Sequence, residues 1–547
     1  MNTILAPLGR NAGFRLPRVQ CSSHWLVLIL AAFFTLLCNQ RFWAAVLGGA
    51  QADLRLALSM GLVLLSANTW VLGLLVWRWN ARVLVPLLLL VTAMAVHWMN
   101  RYNVYLDVDM LRNVLHTDHK EASELLGWSL LPAVLVVGLL PGMALSLLQL
   151  RRQSWRQALG QRFLLLLLAL LTGFGGALLD FQNLASLMRN QREIRYLATP
   201  VNYLVALPRS LQASNPLRQR TLQPVASDAR ALSSVAGRKP RLLVLVVGET
   251  VRAQNWGLNG YQRQTTPELS TAGVINFPDM RSCGSSSEVS LPCMFSPWGR
   301  ADYNEKAMKS HQSLLHVLDR AGITPLWRDN QSGCKGVCTD LTVDRLDDAQ
   351  VPGLCQDGRC MDEILLQQLE QRVRAVEGDR VVVLHQLGNH GPAYFQRYPA
   401  SFNHYLPGCQ STDLGRCSRQ QIINSYDNAV RYTDHFLATT IARLKALPDY
   451  DSALIYVSDH GESLGEKGLY LHGLPWAIAP QEQTRVPMVM WFSSGFSHSR
   501  QLDLACLQQR SRQPASHDNL FASVLGLMQV GTAAYRPEQD LFAGCQP

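Results

Sequence analysis

The sequence predicts an α-helical membrane bundle of five spans followed by an α/β domain. Up to about Asp180 the chain is largely apolar, whereas the remainder has an ordinary globular composition. Beyond residue 240, apolar runs of strand length alternate with helical patterns, as in sheets that helices cover on both faces. We therefore divide the 547 residues into a transmembrane domain (1–181), an interfacial helix with a linker (182–240) and a soluble domain (241–547).

Five stretches have the length and apolarity of membrane spans. They are Trp25 to Leu47, Leu56 to Val76, Val83 to Trp98, Leu126 to Leu148 and Phe163 to Phe181. A cleaved signal peptide does not explain the first stretch, because no small-residue cleavage site follows it and further spans do. The spans carry few internal charges, which disfavours a transporter.

The positions of the arginines orient these spans. They cluster before span one, between spans two and three, and between spans four and five, at Arg10, Arg15, Arg18, Arg78, Arg82, Arg151, Arg152, Arg156 and Arg162. The positive-inside rule makes these regions cytoplasmic, so the soluble domain lies beyond the inner membrane, in the periplasm. The formal net charge of +10 suits work beside anionic lipid headgroups. Part of that charge comes from these short loops, which disfavours a nucleic-acid binder.

Ten of the twelve cysteines lie in the soluble domain, and eight of them form close pairs along the sequence. The pairs are Cys283/Cys293, Cys334/Cys338, Cys355/Cys360 and Cys409/Cys417. In an oxidising compartment such pairs indicate disulfides, which we favour over a zinc site at Cys334-x3-Cys338. Cys506 and Cys545 pair only if the fold brings them together.

Two polar segments interrupt or follow the apolar part. Between spans three and four, Asn113, Thr117 and Glu121 recur at i, i+4 and i+8, which predicts one face of a helix. That face is either solvated or part of a binding site. The stretch from Pro200 to Leu211 is typical of an interfacial amphipathic helix, and the Gln-, Ser- and Arg-rich residues 212–239 predict a linker.

Apolar runs in the soluble domain predict buried strands, namely 241–247, 380–384, 452–457 and 486–492. Glu249 follows the first of these runs, and Asp459 and His460 follow the third. Ligands bind at the carboxyl ends of strands in open α/β sheets. Oxygen and imidazole ligands around an open coordination position suit a catalytic zinc ion. We therefore expect Zn²⁺, one ion or two, at Glu249, Asp459 and His460.

A serine cluster in the segment 282–293 offers a nucleophile for phosphoryl transfer. Ser285, Ser286, Ser287 and Ser290 are all candidates. A serine hydroxyl is a poor nucleophile at neutral pH, so the reacting one must lie within reach of the metal ligands. A helix that begins near Ser287 would aim backbone N–H groups at a phosphate. The alternative is that the serine run is only a flexible turn.

Four blocks of the sequence, taken in order, carry a resemblance to one enzyme family. They are Gly248-Glu249-Thr250, the Cys283 to Cys293 block, Leu384-His385 through Asn389-His390-Gly391-Pro392, and Ser458-Asp459-His460-Gly461-Glu462-Ser463-Leu464-Gly465. The chain resembles the lipid A phosphoethanolamine transferases, the family of the mobile colistin resistance enzymes, within the alkaline phosphatase and sulfatase superfamily. The resemblance implies an alkaline phosphatase-like fold and a zinc-dependent transferase.

The resemblance also implies a reaction. Phosphoethanolamine would pass from phosphatidylethanolamine to lipid A, or to the lipopolysaccharide core, through a covalent intermediate on Ser287. The family has a threonine at that position, and Ser287 would also bind the metal. Glu288 stands where the family usually has a small residue, and its charge bears on substrate preference. The added amine would offset phosphate charge and lower sensitivity to cationic peptides such as polymyxin.

Six substrate-binding residues are implied by the resemblance. They are Asn113, Thr117, Glu121, Lys335, His390 and His472. The first three would hold the headgroup of the lipid substrate, and the lysine would contact its phosphate. The two histidines would act in catalysis as well, by binding the transferred phosphate and helping to protonate the leaving group, or would hold a second zinc ion. For each of them the alternative is an ordinary surface residue.

Three other functions compete with a phosphoethanolamine transferase: a sulfatase, a phosphoglycerol transferase and a non-catalytic scaffold. A sulfatase would need a Cys-x-Pro-x-Arg motif, and neither Cys283 nor Cys293 begins one. A phosphoglycerol transferase shares the five-span layout, although the paired cysteines and the His-x4-His spacing of His385 and His390 favour the ethanolamine branch. A non-catalytic envelope scaffold would keep the fold and lose the site. We expect the protein to act as a monomer.

Overall fold

The structure is a computed structural model that describes residues 19–48, 54–117, 119–213, 222–232, 237–356 and 358–546. The chain forms two compact units. Unit 1 comprises Met1–Asn100 and Ser129–Val205, and unit 2 comprises Arg101–Trp128 and Ala206–Pro547. The ranges 1–181, 182–240 and 241–547 stay a prediction, and the described residues between Arg101 and Trp128 belong to unit 2.

Unit 1 is built from long apolar helices. Four helices of the described residues are long and apolar enough to cross a membrane: Leu54–Leu75, Ala81–Tyr102, Trp128–Ser146 and Trp155–Leu179. The helices Ser23–Leu37 and Gln40–Leu47 meet at a bend of 56° and supply a fifth span when they are counted as one. The predicted membrane bundle is thereby confirmed. A shorter helix, Phe181–Asn190, follows the last long one.

Small and polar residues join two of these helices, Leu54–Leu75 and Trp155–Leu179. Ser59 Oγ donates to the carbonyl of Gly176 at 2.7 Å, and Ser66 Oγ donates to the carbonyl of Ala169 at 2.6 Å. Apolar burial does not drive helices together in lipid, so close backbone approach and hydrogen bonds between helices hold such bundles. These serines therefore explain how an otherwise apolar pair acquires a defined packing.

The described helices of unit 2 are mostly short. They are Val108–His116, His119–Leu125, Ser287–Met294, Glu305–Ser310, Leu314–Arg320, Leu369–Arg374, Arg419–Lys445, Gln481–Thr484, Ser494–Ser499, Leu504–Arg510 and Asp518–Leu527. A helix at Val201–Ala213 matches the helix predicted from Pro200 to Leu211. Much of the predicted linker, including residues 214–221 and 233–236, lies outside the described residues.

The core of unit 2 is an eight-stranded mixed sheet. Its strands are β1 (Arg241–Gly248), β2 (Ile275–Arg281), β3 (Thr324–Asp329), β4 (Val343–Arg345), β5 (Arg380–His385), β6 (Asp451–Ser458), β7 (Arg485–Phe492) and β8 (Ala515–Ser516). The order is β8-β2-β7-β6-β1-β5-β3-β4. Strands β6, β1, β5, β3 and β4 are parallel, whereas β7 is antiparallel to both of its neighbours.

The central strands explain the apolar runs of the sequence. Every residue of β1, β5 and β6 is buried, so these strands are covered on both faces. Parallel strands that are buried on both faces read as continuous apolar runs rather than as alternating patterns. The predicted α/β domain is confirmed, and each predicted run lies within an observed strand that is one or two residues longer.

The cysteine pairs form as the sequence spacing suggested. Disulfides join Cys283 to Cys293, Cys334 to Cys338, Cys355 to Cys360 and Cys409 to Cys417. The fold also brings Cys506 and Cys545 together in a fifth disulfide, which the sequence left open. Because Cys334 and Cys338 bond to each other, they are not the ligands of a zinc site.

Candidate active site and metal centre

Two neighbouring parallel strands bring the predicted metal ligands together. In the register of β1 and β6, Gly248 lies opposite Ser458. Glu249 and Asp459 therefore leave the sheet side by side at its carboxyl edge, and the backbone N–H of Asp459 donates to the carbonyl of Gly248 at 2.9 Å. Residues more than two hundred positions apart thus reach one site because parallel strands end at the same edge.

Glu249, Asp459 and His460 form a buried cluster that fits a metal ion. Their ligand atoms all lie within 4.8 Å of one another, and none of the three side chains is exposed. His460 Nδ1 donates to the carbonyl of Gly461 at 2.9 Å, so Nε2 is the nitrogen that faces the carboxylates. Nε2 lies 3.4 Å from Glu249 Oε1 and 3.5 Å from Asp459 Oδ2. Two carboxylates and an imidazole nitrogen converge here.

The two buried carboxylates of this cluster create a negative potential that a cation would offset. Burial opposes the charged form of His460, yet the Asp459 and Glu249 carboxylates raise its pKa to about 10. Burial and the neighbouring Glu249 charge raise the pKa of Asp459 to about 6. Glu249 Oε1 is buried and makes no hydrogen bond with the residues that the structure describes, although His460 Nε2 lies 3.4 Å away. A buried carboxylate oxygen without a partner is costly, and a metal ion removes that cost. The donor set therefore fits Zn²⁺.

Ser287 completes this cluster. It is the first residue of the helix Ser287–Met294, as expected. Its hydroxyl lies 2.6 Å from Asp459 Oδ2, 2.9 Å from Glu249 Oε2 and 3.3 Å from His460 Nε2. The structure thus places Ser287 Oγ within hydrogen-bond distance of all three other predicted ligands, and the four together match the usual number of ligands in a zinc site.

The other serines of the cluster have different surroundings. Ser285 Oγ donates to the carbonyl of Leu474 at 2.6 Å. Ser290 Oγ is buried and makes no hydrogen bond within the described part of the chain. Ser286 precedes the helix in an extended conformation. Of the four candidates that the sequence left open, Ser287 is the one that the described contacts place at the metal ligands.

His390 and His472 lie beside the cluster. The ring centroid of His472 lies 4.4 Å from the ring centroid of His460 and 5.5 Å from that of His390. His472 Nδ1 lies 2.8 Å from Glu462 Oε2, a contact that leaves Nε2 for a substrate. Burial lowers the pKa of His390 to about 3, so its imidazole is neutral. The structure therefore brings these two predicted histidines to one side of the metal cluster.

Lys335 occupies a loop of unusual backbone geometry. Its φ is +49°, in the left-handed region that side chains other than glycine rarely adopt. The disulfide Cys334–Cys338 closes this loop, and Lys335 Nζ donates to Ser332 Oγ at 2.7 Å. A strained conformation held by a covalent link is typical of functional loops.

The helix expected across residues 113–121 is interrupted. Asn113 lies in the helix Val108–His116, but Thr117 has ψ near 127° and ends that helix. The expectation of a single helical face is therefore wrong. The hydroxyl of Thr117 donates to the carbonyl of Asn113 at 2.8 Å and so satisfies one of the last carbonyls of the helix. The side chain of Glu121 lies outside what the structure describes.

Sequence reasoning missed several residues that organise the site. Gln331 Nε2 donates to Glu249 Oε2 at 3.0 Å. Glu124 accepts two hydrogen bonds from Arg397, at 2.7 and 3.0 Å, and Arg397 Nε donates to the carbonyl of His390 at 2.7 Å. No local pattern indicates these contacts, because Glu124 and Arg397 are 273 residues apart. Glu462, whose carboxylate contacts His472 Nδ1, belongs to the sequence block 458–465, but nothing in that block indicates its role.

Glu288 is buried although it is charged. It is 3 % exposed, and its carboxylate contacts Lys309 Nζ at 2.6 Å and His116 Nδ1 at 3.0 Å. Although burial opposes its charged form, Lys309 and His116 hold the pKa of Glu288 below its usual range. The carboxylate therefore stays ionised beside Ser287, with its charge offset by partners on two other helices.

Comparison with known proteins places the chain in a family. Residues 64–214 match the model of phosphoethanolamine transferases EptA and EptB, and residues 241–530 match the sulfatase model. Phosphoethanolamine transferase EptA of Escherichia coli K12 is 36 % identical over 528 residues, which cover 95 % of this chain and 96 % of that protein. The chain belongs to the phosphoethanolamine transferase family. The predicted family membership is confirmed.

Two further relatives support this assignment. Phosphatidylethanolamine transferase Mcr-1 of Escherichia coli is 35 % identical and covers 87 % of this chain and 90 % of its own length. Among solved structures, the integral membrane lipooligosaccharide phosphoethanolamine transferase A of Neisseria meningitidis matches with a TM-score of 0.91. It shares 36 % identity and covers 96 % of this chain and 99 % of its own. The likeness therefore extends over the apolar helices and the soluble domain alike.

Proposed function

We propose that this phosphoethanolamine transferase moves phosphoethanolamine from phosphatidylethanolamine to a phosphate of lipid A or of the lipopolysaccharide core. The observation that carries the proposal is the position of Ser287 Oγ, within 3.3 Å of all three ligands of a buried metal cluster. A relative named Kdo(2)-lipid A phosphoethanolamine 7''-transferase, from Escherichia coli K12, is 29 % identical over 477 residues and supports the acceptor class.

Glu249, Ser287, Asp459 and His460 would hold Zn²⁺, which would lower the pKa of the serine hydroxyl and offset the charge that develops on the phosphoryl group. One ion suffices for this donor set, and His390 with His472 would be the place for a second. Metal content of the purified protein, measured by mass spectrometry, tests this. About one zinc per chain is expected, and a Glu249→Gln variant should lose it.

The first half of the reaction follows from the contacts of Ser287. Its Oγ attacks the phosphorus of the donor, the Oγ–P bond forms and the bond from phosphorus to diacylglycerol oxygen breaks. The hydroxyl proton is directed at Asp459 Oδ2, 2.6 Å away. His472, held through Nδ1 by Glu462, presents Nε2 to protonate the departing diacylglycerol oxygen. His390 and Lys335 would contact the phosphate, and Asn113, Thr117 and Glu121 the headgroup.

In the second half, an acceptor phosphate oxygen attacks the same phosphorus. The bond to Ser287 Oγ breaks, the proton held at Asp459 returns to the serine oxygen, and His472 recovers its proton from solvent. The product carries an added ammonium group, which offsets phosphate charge on the envelope and weakens the binding of polymyxin. This chemistry requires the soluble domain on the periplasmic side of the inner membrane, and the five disulfides of unit 2 support such an oxidising location. All four proposed ligands come from one chain, so the site does not require a second copy of the protein.

Mass spectrometry of the protein after incubation with phosphatidylethanolamine tests the proposal directly. A phosphoethanolamine adduct is expected on Ser287 and should be absent from Ser287→Ala. Ser290→Ala is the matched control, because Ser290 lies in the same helix and its hydroxyl makes no hydrogen bond in the described structure. An adduct on Ser285 or Ser286, or none, would contradict the assignment. Incubation with phosphatidylglycerol separates the phosphoglycerol transferase alternative.

A further inference from the structure

A cavity of about 710 Å³ lies beside the helix Ser287–Met294 in unit 2. Its ionisable lining residues are His116, Glu288, Lys309, His311, Lys335 and Arg345. Among the residues that the structure describes, the metal cluster, Ser287 and the pair His390 and His472 do not line it. The cavity is therefore a compartment next to the reacting serine rather than the metal site itself. Its volume lies within the range of about 300–1,000 Å³ that small-molecule sites occupy.

The charges that line this cavity are predominantly positive. Lys309, Lys335 and Arg345 carry three positive charges, and Glu288 is the one carboxylate among the described lining residues. Glu288 already pairs with Lys309 at 2.6 Å and with His116 at 3.0 Å. No carboxylate within 4.0 Å of the Arg345 guanidinium occurs in the described part of the chain. A positive excess therefore remains for a ligand.

Lys309 is held in position by its neighbours. Besides Glu288, its ammonium contacts Glu305 Oε1 at 3.4 Å, and Glu305 is itself paired with the buried Arg112. Because Arg112 offsets Glu305, this second contact does not cancel the positive character of the cavity. Fixed charges that need no rearrangement when the ligand arrives make an effective binding site for an anion.

We propose that this cavity binds a phosphomonoester group of the acceptor sugar during the second half of the reaction. A phosphomonoester carries a charge of about −1.5 to −2 near neutral pH, which matches the excess of three cations over one carboxylate. The ammonium of the ethanolamine donor would be repelled by Lys309 and Arg345, so among the lining cations only Lys335, proposed above to contact the donor phosphate, would meet both substrates. The inference rests on the proposed function and adds to it a separate subsite for the acceptor.

The site also gives Glu288 a role. The Glu288 carboxylate contacts Lys309 and His116, which both line the cavity, and so fixes the positions of these two side chains. Glu288 itself directly follows Ser287 in the sequence. Glu288 would then determine specificity through the groups that it orients rather than by touching the donor. Because Ser287 does not line the cavity, the phosphate bound there would be the one that is not modified. The second phosphate of the acceptor would reach the phosphorylated Ser287, where its oxygen attacks phosphorus and Ser287 Oγ leaves.

Separate assays of the two half-reactions test this proposal on the full-length enzyme. The first assay measures release of diacylglycerol from phosphatidylethanolamine in a single turnover without acceptor. The second measures steady-state transfer to lipid A that carries both glucosamine phosphates, as its concentration varies. Two variants are compared, Arg345→Gln and the double variant Lys309→Met with Glu288→Ala, which removes both partners of a buried pair together. Lys306→Gln, an exposed lysine of the same helix as Lys309 that does not line the cavity, is the control.

We expect Arg345→Gln to raise KM for lipid A by about tenfold, the change that one charge-assisted hydrogen bond supplies, without slowing diacylglycerol release. The double variant should raise the same KM, and Lys306→Gln should not. Unchanged KM in both cavity variants, or a slower donor step with Arg345→Gln, would overturn the acceptor subsite. Absence of diacylglycerol release from the unmodified enzyme would instead count against the proposed function, so the two failures are distinguishable.

Discussion

Replacing Gly388 by alanine tests whether the backbone next to Glu249 determines the position of this proposed metal ligand. Gly388 adopts a φ of +53°, and a Cβ at this position would lie 2.7 Å from the carbonyl oxygen of Glu249 and 2.9 Å from its Cβ. An ordinary van der Waals contact begins at 3.4 Å, so the two segments would have to separate by 0.7 Å. The nearest atoms belong to the backbone and the Cβ of Glu249, which no rotamer change can move. Gly388→Ala therefore displaces a proposed metal ligand.

The expected loss of kcat is about 10- to 100-fold, scaled from the roughly 100-fold cost of a 1 Å misplacement in an active site. Zinc content should fall in parallel. Gly378→Ala is the matched control, because Gly378 has a φ of +93° and no atom within 4 Å of the added Cβ. Both variants are destabilised by about 1–2 kcal/mol because an alanine must adopt the left-handed conformation. Only the added Cβ of Gly388→Ala also clashes with Glu249. Full activity and full zinc content in Gly388→Ala would refute this reasoning.

Three further outcomes are expected. A zinc chelator should abolish diacylglycerol release, and added Zn²⁺ should restore it. Replacing Cys506 and Cys545 by serine, which opens a loop of 39 residues, should lower the free energy of unfolding by about 4 kcal/mol on the chain-entropy scale. The stabilisation from the lowered pKa of Glu288 is present above its ordinary value of 4.5 and is lost as the pH falls below it. The free energy of unfolding should therefore decrease less steeply below pH 4.5 in Glu288→Gln than in the unmodified protein.

Local patterns sufficed for much of this protein. The span-length apolar stretches, the buried strands and the close cysteine pairs are properties of short sequence windows, and all of them appear in the structure. Glu249, Asp459 and His460 could be selected from the sequence because each directly follows a buried run. Parallel strands end at a common edge of the sheet, so residues that follow different apolar runs can be expected to lie close together.

Contacts between distant segments could not be predicted in this way. The disulfide Cys506–Cys545 and the contact of Arg397 with Glu124 join residues that no periodicity links. The interruption of the helix at Thr117 likewise depends on its surroundings, since the residue types alone fit a continuous helical face. These features arise when separate elements pack, and packing depends on all of the partners at once.

The segment types, the proposed metal ligands and the family resemblance could be predicted from the sequence alone, because the hydrophobic period and the polar residues at strand ends are local. The residue types alone left four serines open and the resemblance singled out Ser287, whereas only the tertiary structure places its hydroxyl at the cluster and turns that of Ser285 toward Leu474. The positive cavity beside it was decided in the same way. It exists because two helices, a loop and a strand bring Glu288, Lys309, Lys335 and Arg345 to one cavity, and no sequence window contains them together.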